Sequence, residues 1–361
     1  MGKTILMLVP YPRGVAASQR FRFEQYYALL EREGYKTSTQ AFWPEDVWPI
    51  LYREGNTLLK LWGLCRGLLR RLIILPSLPS FDYVFIHREV TPLGPPIFEL
   101  LIANFFRKKI IFDFDDSVWL SDENEKSAFL LFLKFPSKIK KICRVSYKIS
   151  CGNKYLADYS KKYNLNSFVN PTTIDTEHYH SPDLHLEKEQ NNFTTIGWTG
   201  SHSTLKYLKE VDSILKILCD SHKDKVRFLV IADHPPEFLS VPFEFIRWSK
   251  STEITDLLKI DIGIMPLTDD DWTRGKCGFK ALQYMSLEIP AVASPVGVNK
   301  EIIVDGVNGF LCDSQSSWTD RLSQLIDDVR LRREMGKAAR KQIISHYSTV
   351  SNSANFLGLF L

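Results

Sequence analysis

The chain has 361 residues, 44% of them hydrophobic and 24% charged, with a formal net charge of +4. That length exceeds one ordinary domain and suits two; the composition is that of a soluble globular protein, and so small a basic excess excludes an argument for nucleic acid as a partner. Six cysteines (65, 143, 151, 219, 277 and 312) form no CxxC and no metal-type spacing, which predicts free thiols in a reducing compartment. The opening MGKTILMLVPYPRG is about one strand long and lacks the apolar region and cleavage site of a signal peptide. No window reaches the roughly 18 apolar residues of a membrane span.

Short apolar runs alternate with helical patterns, the signature of parallel α/β units. A first strand is expected at Thr4–Val9, then the loop PYPRGVAAS and a helix capped by Ser18 and stopped by Gly34. A strand at Tyr83–His87, a helix near Pro95–Phe106 and a strand at Lys109–Phe114 follow. YKISCG is a further strand, and NKYLADYSKKYN a helix capped by Asn153. The stretch Asn170–Asn192 holds prolines, caps and charges and reads as a linker. After it, strands fit Thr194–Trp198, Val226–Ala232, Phe243–Trp248, Ile260–Met265, Pro290–Ser294 and Gly309–Cys312. Helices fit Ser203–Cys219, Thr252–Leu258, Gly278–Leu287 and two C-terminal segments. The expectation is two doubly wound domains with ligand bound in a cleft between them.

Chemistry is expected where strands end and helices begin. GWTGSHSTLKYL places Gly200 and Ser201 at a strand end, with Lys206 in the following turns; the bland alternative is a tight connection capped by Ser203. RGKCGFKALQYM sets Arg274, Lys276 and Lys280 around Gly278 at a helix start. Positive charge there opposes the macrodipole unless an anion is bound. SPVGVNKEIIVDGVNGF adds Gly297 and Glu301, or simply two turns. Repeated glycine loops with three lysines suit a diphosphate. No P-loop and no GxGxxG follows the first strand, which disfavours a nicotinamide cofactor. Arg13, Arg20 and Arg22 crowd another helix start, either for an anion or on a solvated face. In DFDDSVW, the alternation of Asp113 with Phe112 and Phe114 points to a structural hydrogen bond.

The segment NTLLKLWGLCRGLLRRLIIL is of another kind. Leu58, Leu59, Leu61, Trp62, Leu64, Leu68, Leu69 and Leu72 form an apolar face. Lys60, Arg66, Arg70 and Arg71 supply charge, with no acid from Asn56 to Leu75. Such a helix suits an anionic membrane surface; the alternative is that its apolar residues pack on the first sheet. FLLFLKFPSKIKKICR repeats the character.

The run GFKALQYMSLEIPAVASPVGVNKEIIVDGVNGFL resembles the donor-binding region of family 4 retaining glycosyltransferases, which have the GT-B fold of two doubly wound Rossmann-like domains facing a cleft. IGWTGSHSTLKYL and IIFDFDDSVWL resemble that family's strand-end segments in its two domains. The resemblance implies an acceptor-binding domain at 1–172, a nucleotide-sugar-binding domain at 173–345, and a segment 346–361 crossing back to the first. It implies hexosyl transfer with retention of configuration, without metal or cofactor. The donor would be UDP- or GDP-linked, and the acceptor a glycan or polyprenyl-diphosphate-linked glycan of surface-polysaccharide assembly. The scattered cysteines and the basic amphipathic segment, rather than the resemblance, suggest a cytoplasmic setting, peripheral on the inner face of the cell membrane. Donor contacts would come from Gly200, Ser201, Arg274, Lys276, Gly278, Gln283, Gly297 and Glu301, with Lys206 and Lys280 on the diphosphate. Asp115 takes the place of a histidine near the sugar and would orient or deprotonate the acceptor hydroxyl, or merely cap a turn; Arg13 and Arg20 lie on the acceptor side. The family's Glu-x7-Glu falls on Gly275 and Gln283, and its phosphate-binding Arg is lost near Trp198. The rival readings are a nucleotide-sugar epimerase and a non-catalytic sugar-nucleotide-binding protein.

Overall fold

The computed structural model describes residues 2–51, 53, 55–120, 135, 137–182 and 192–361. The first half of the second basic run and most of the expected linker's charged end therefore lie outside the described residues. The chain divides into two compact units, Met1–Thr172 with Ser353–Leu361, and Thr173–Asn352.

The first unit carries a parallel sheet of β1 (Thr4–Val9), β2 (Lys36–Ala41), β3 (Tyr83–His87), β4 (Lys109–Phe114), β5 (Lys148–Cys151) and β6 (Ser167–Val169), in the order β2-β1-β3-β4-β5-β6. β1, β3 and β4 are buried on both faces, as continuous apolar runs in a parallel sheet should be. β2, KTSTQA, was not expected. It is a mostly exposed edge strand held by a six-residue register with β1, so no hydrophobic period marks it. The expected single helix after β1 is broken into Ala17–Arg22, a 3-10 turn at Glu24–Tyr26 and Tyr27–Arg32. Ala16, not Ser18, is its N-cap, while Gly34 ends it with a left-handed φ of 81°.

The helix Thr57–Ile74 corrects the packing alternative for its leucines. Leu58, Leu59, Leu61, Trp62, Leu68, Leu69, Leu72 and Ile73 are exposed. The inward face is made by Gly63, Gly67 and Arg71. A Cβ on Gly63 would meet Val47 at 2.8 Å, and one on Gly67 the Phe42 ring at 2.6 Å. The last residues, Ser353–Leu361, sit in the first unit's core. Phe356 stacks on Tyr26 at 4.2 Å, and Phe360 packs edge-on to Tyr83 at 5.6 Å.

The second unit's sheet holds β7 (Thr194–Gly200), β8 (Val226–Ala232), β9 (Glu244–Arg247), β10 (Ile262–Met265), β11 (Ala291–Ala293) and β12 (Gly309–Leu311) in the order β12-β11-β10-β7-β8-β9, all parallel. Its direction of winding reverses between β7 and β10. The crevice beyond the carboxyl ends of those two strands is where such sheets bind ligands. The expected helix Ser203–Cys219 is instead three pieces, His202–Leu205, a 3-10 stretch Lys206–Val211 and Asp212–His222.

Candidate functional site

Beyond β7, Gly200 lets the chain close over Trp198; a Cβ there would lie 2.4 Å from the indole. Ser201, not Ser203, is the N-cap of the helix His202–Leu205, and its N–H donates to the Thr204 hydroxyl at 3.2 Å. Lys206 follows at the start of the 3-10 stretch, its ammonium 5.3 Å from the Tyr207 ring centre. Beyond β10, Lys276 approaches the same Tyr207 ring at 6.0 Å. Lys280, in the first turn of the helix Phe279–Ser286, lies 5.2 Å from the Trp198 ring. Three cations thus gather over two aromatic rings at the reversal point.

Two glycines hold this arrangement. Gly278 caps the helix Phe279–Ser286 with φ 69°, pressed against Ile302, and Gly297 has φ 54° with its Cα facing the Arg274 carbonyl. In both, a side chain would be strained by the backbone and blocked by its neighbour. The loop bearing Glu301 is thereby packed on the segment bearing Arg274. Glu301 is exposed on the short helix Asn299–Ile302. Arg274 bonds Asp269 at 2.7 Å and Asp271 at 3.4 Å. Gln283 is buried, with its amide 3.4 Å from Glu253. That carboxylate also accepts from Tyr179 and Trp248.

In the first unit, Arg88 follows β3 with a left-handed φ of 61°, rare for a residue with a side chain. Its guanidinium donates to Asp115 at 2.8 and 3.0 Å and to Asp116 at 2.8 Å. Burial works against ionisation of Asp115, but Arg88, His87 and Arg22 outweigh it and hold its carboxyl below the usual range. Asp115 is therefore a fixed carboxylate, suited to orienting a hydroxyl or steadying positive charge. Arg22 is not on a solvated face: it is buried and paired with Asp113, which also accepts from Ser150 at 2.6 Å and lies 2.8 Å from His87 Nδ1. Arg13 lies over Tyr27 at 4.5 Å and the buried Arg20 over Phe21 at 4.9 Å.

Sequence reasoning missed Arg88, whose only signal is a charge directly after a buried strand, and the partnership of Gln283 with Glu253. It also missed the convergence of His202 and His234 on Asp233. His202 bonds that carboxylate through its N–H at 2.6 Å and its ring at 2.9 Å, and the His234 ring lies 3.3 Å away. Their ligand atoms lie within 4.8 Å of one another, a spacing that could hold a metal ion; their mutual hydrogen bonds account for the grouping without one.

Residues 199–342 match the family model described as Glycosyl transferases group 1. Over 112 residues, 30% of this chain, the sequence is 32% identical to the D-inositol 3-phosphate glycosyltransferase of Paenarthrobacter aurescens. The match spans 24% of that relative's length. The sucrose-phosphate synthase of Thermosynechococcus elongatus is similar in structure over 100% of this chain and 98% of its own, with a TM-score of 0.71 and 11% identity. The Anabaena protein HepE, crystallised with UDP and glucose, is similar over 99% of both chains, with a TM-score of 0.65 and 12% identity. What these structures share with the present one is the GT-B fold of two Rossmann-like α/β domains.

Proposed function

We propose that the protein is a glycosyltransferase that moves a hexose from a UDP- or GDP-linked donor to a glycan or polyprenyl-diphosphate-linked acceptor, with retention of configuration and without metal. The observation that carries this is the gathering of Lys206, Lys276 and Lys280 at the reversal point of the second sheet, inside the segment matched by the glycosyl transferase family. As the nucleoside diphosphate leaves, charge develops on its phosphates. The three ammonium groups and the helix end at Gly278 would hold that charge without reorganising. Asp115, kept ionised by Arg88, would orient the acceptor hydroxyl. Retention and a metal-free course follow from the family resemblance in the sequence, and a setting on the inner face of the membrane from the basic amphipathic helix Thr57–Ile74. The UDP option draws support from the HepE complex.

The non-catalytic reading draws on Gly275, which offers no side chain to a sugar, and on Gln283, which is turned onto Glu253. Titration calorimetry with UDP and GDP tests the donor site. A charge-assisted contact contributes roughly 1.5–3 kcal/mol, so Lys206→Ala or Lys280→Ala should weaken binding about ten-fold or more. Unchanged affinity in both variants defeats the diphosphate assignment. Incubation with nucleotide sugars then separates the rivals, since a transferase alone releases nucleotide in step with acceptor glycosylation.

A further inference from the structure

The helix Thr57–Ile74 is built with its apolar side outward. At 100° per residue, Leu68, Leu61, Leu72, Cys65, Leu58, Leu69, Trp62 and Ile73 fall in sequence across an arc of about 140°. All eight are exposed, Leu58 by 83%, Ile73 by 67% and Trp62 by 60%. Scattered exposed leucines are ordinary, but a continuous ridge about 23 Å long is not.

The helix cannot roll to bury this ridge. Gly63 and Gly67 seat it against Val47 and Phe42 with no room for a side chain. Arg71 reaches from the inward face to the ends of the sheet. It donates to the carbonyls of Val9 at 2.9 Å, Gln40 at 2.9 Å and Val90 at 3.0 Å, and to the Gln40 side chain at 2.7 Å. Turning the helix would strip a buried guanidinium of all four acceptors. The outward leucines are thus a property of the folded unit.

We infer that this ridge docks the protein on an anionic phospholipid bilayer, lying flat with its leucines below the headgroups. The proposal deepens the reading above, resting on it only for the lipid-linked acceptor that docking would bring within reach. Charge selects the occupant. Arg66 and Arg70 lie along one flank of the ridge, and no acid occurs within the helix; Lys60 falls with the inward glycine face and donates to the Arg53 carbonyl. Arg66 is shared with Asp46 at 2.7 Å, and among the described residues Arg70 has no ion-pair partner. A uniformly apolar ridge flanked by arginines matches an interfacial helix in composition, its leucines for the acyl chains and its guanidinium groups for the phosphates. Among the described residues no helix is long and apolar enough to cross a membrane, so contact would be peripheral.

Cys65 supplies the probe. It is exposed near the middle of the ridge, while Cys143, Cys151, Cys277 and Cys312 are buried and Cys219 is half-buried. In a Cys219→Ser background, an environment-sensitive fluorophore on Cys65 should brighten on vesicles containing phosphatidylglycerol and be quenched by brominated acyl chains. Leu61→Glu with Leu69→Glu, both on the exposed face, should abolish vesicle co-flotation. Arg70→Gln should lower partitioning about five-fold, the worth of one basic residue at an anionic surface. A probe that stays in water beside these vesicles overturns the proposal. So does one that becomes buried with rising protein concentration and no lipid, which would assign the ridge to a second copy. Calorimetry with UDP on the same variants without vesicles keeps the two readings apart. Flotation lost with UDP binding intact supports the ridge, and flotation kept by the Leu61→Glu, Leu69→Glu variant overturns it; absence of UDP binding in the wild type, with flotation intact, counts against the donor site alone.

Discussion

Asp113→Asn is the sharpest perturbation of the first unit. Asp113 and Arg22 are each 1% exposed, and they join β4 to the helix Ala17–Arg22. Asp113 also meets His87 on β3 at 2.8 Å and Ser150 on β5 at 2.6 Å, while Arg22 bonds Ser150 at 3.1 Å and the Asn170 carbonyl. One carboxylate thus ties three adjacent strands to a helix. An asparagine keeps the shape but leaves the buried guanidinium uncompensated, and removing one partner of such a pair costs about 3–5 kcal/mol. With tenfold per roughly 1.4 kcal/mol, native-state hydrogen exchange of β3, β4 and β5 should accelerate by about two to three and a half orders of magnitude. The pH dependence has a definite sign. Burial opposes ionisation of Asp113, but Arg22 and His87 outweigh it and hold its carboxyl far below the usual range. A group depressed in the folded state stabilises fully above its unfolded value near 3.9, and that stability is lost as pH falls below it. Wild type should therefore lose stability steeply between about pH 4 and pH 2, and Asp113→Asn more gently. Exchange within two-fold of wild type, with parallel acid-unfolding curves by circular dichroism, would refute the reasoning.

Removing Asn355–Leu361 takes away Phe356, Leu359 and Phe360, all buried in the first unit, each contributing roughly 1.5–3 kcal/mol. Peptides of β1 and β3 should lose exchange protection, and loss confined to the second unit would count against this packing. Asp115→Asn should lower turnover about 100-fold or more if the carboxylate serves the acceptor, with calorimetric donor affinity unchanged. A parallel loss of UDP binding would instead assign Asp115 a structural role.

The central strands of both sheets were legible because a parallel sheet buried on two faces must be written as unbroken apolar runs, such as TILMLV and YVFIH. The glycine loops were legible for a related local reason: Gly278 and Gly297 occupy conformations that side chains resist. What stayed hidden is what depends on a partner far along the chain. Arg22 reads as one more surface cation until Asp113, 91 residues away, is placed beside it. Gln283 reads as a ligand-facing amide until Glu253, 30 residues earlier, is found against it. β2 has no apolar period because its stability comes from β1's backbone and an exposed edge asks for none. The helix Thr57–Ile74 is the most instructive. Its period separates two faces but does not say which turns inward, and the usual assumption sends leucine to the core. Here it is the glycine face that turns inward, and Arg71 on it donates to the strand-end carbonyls of Val9 and Gln40. The buried guanidinium, which must keep its acceptors, and the two glycines pressed on Val47 and Phe42 thus set the orientation of the helix, and the apolar ridge faces outward as the consequence.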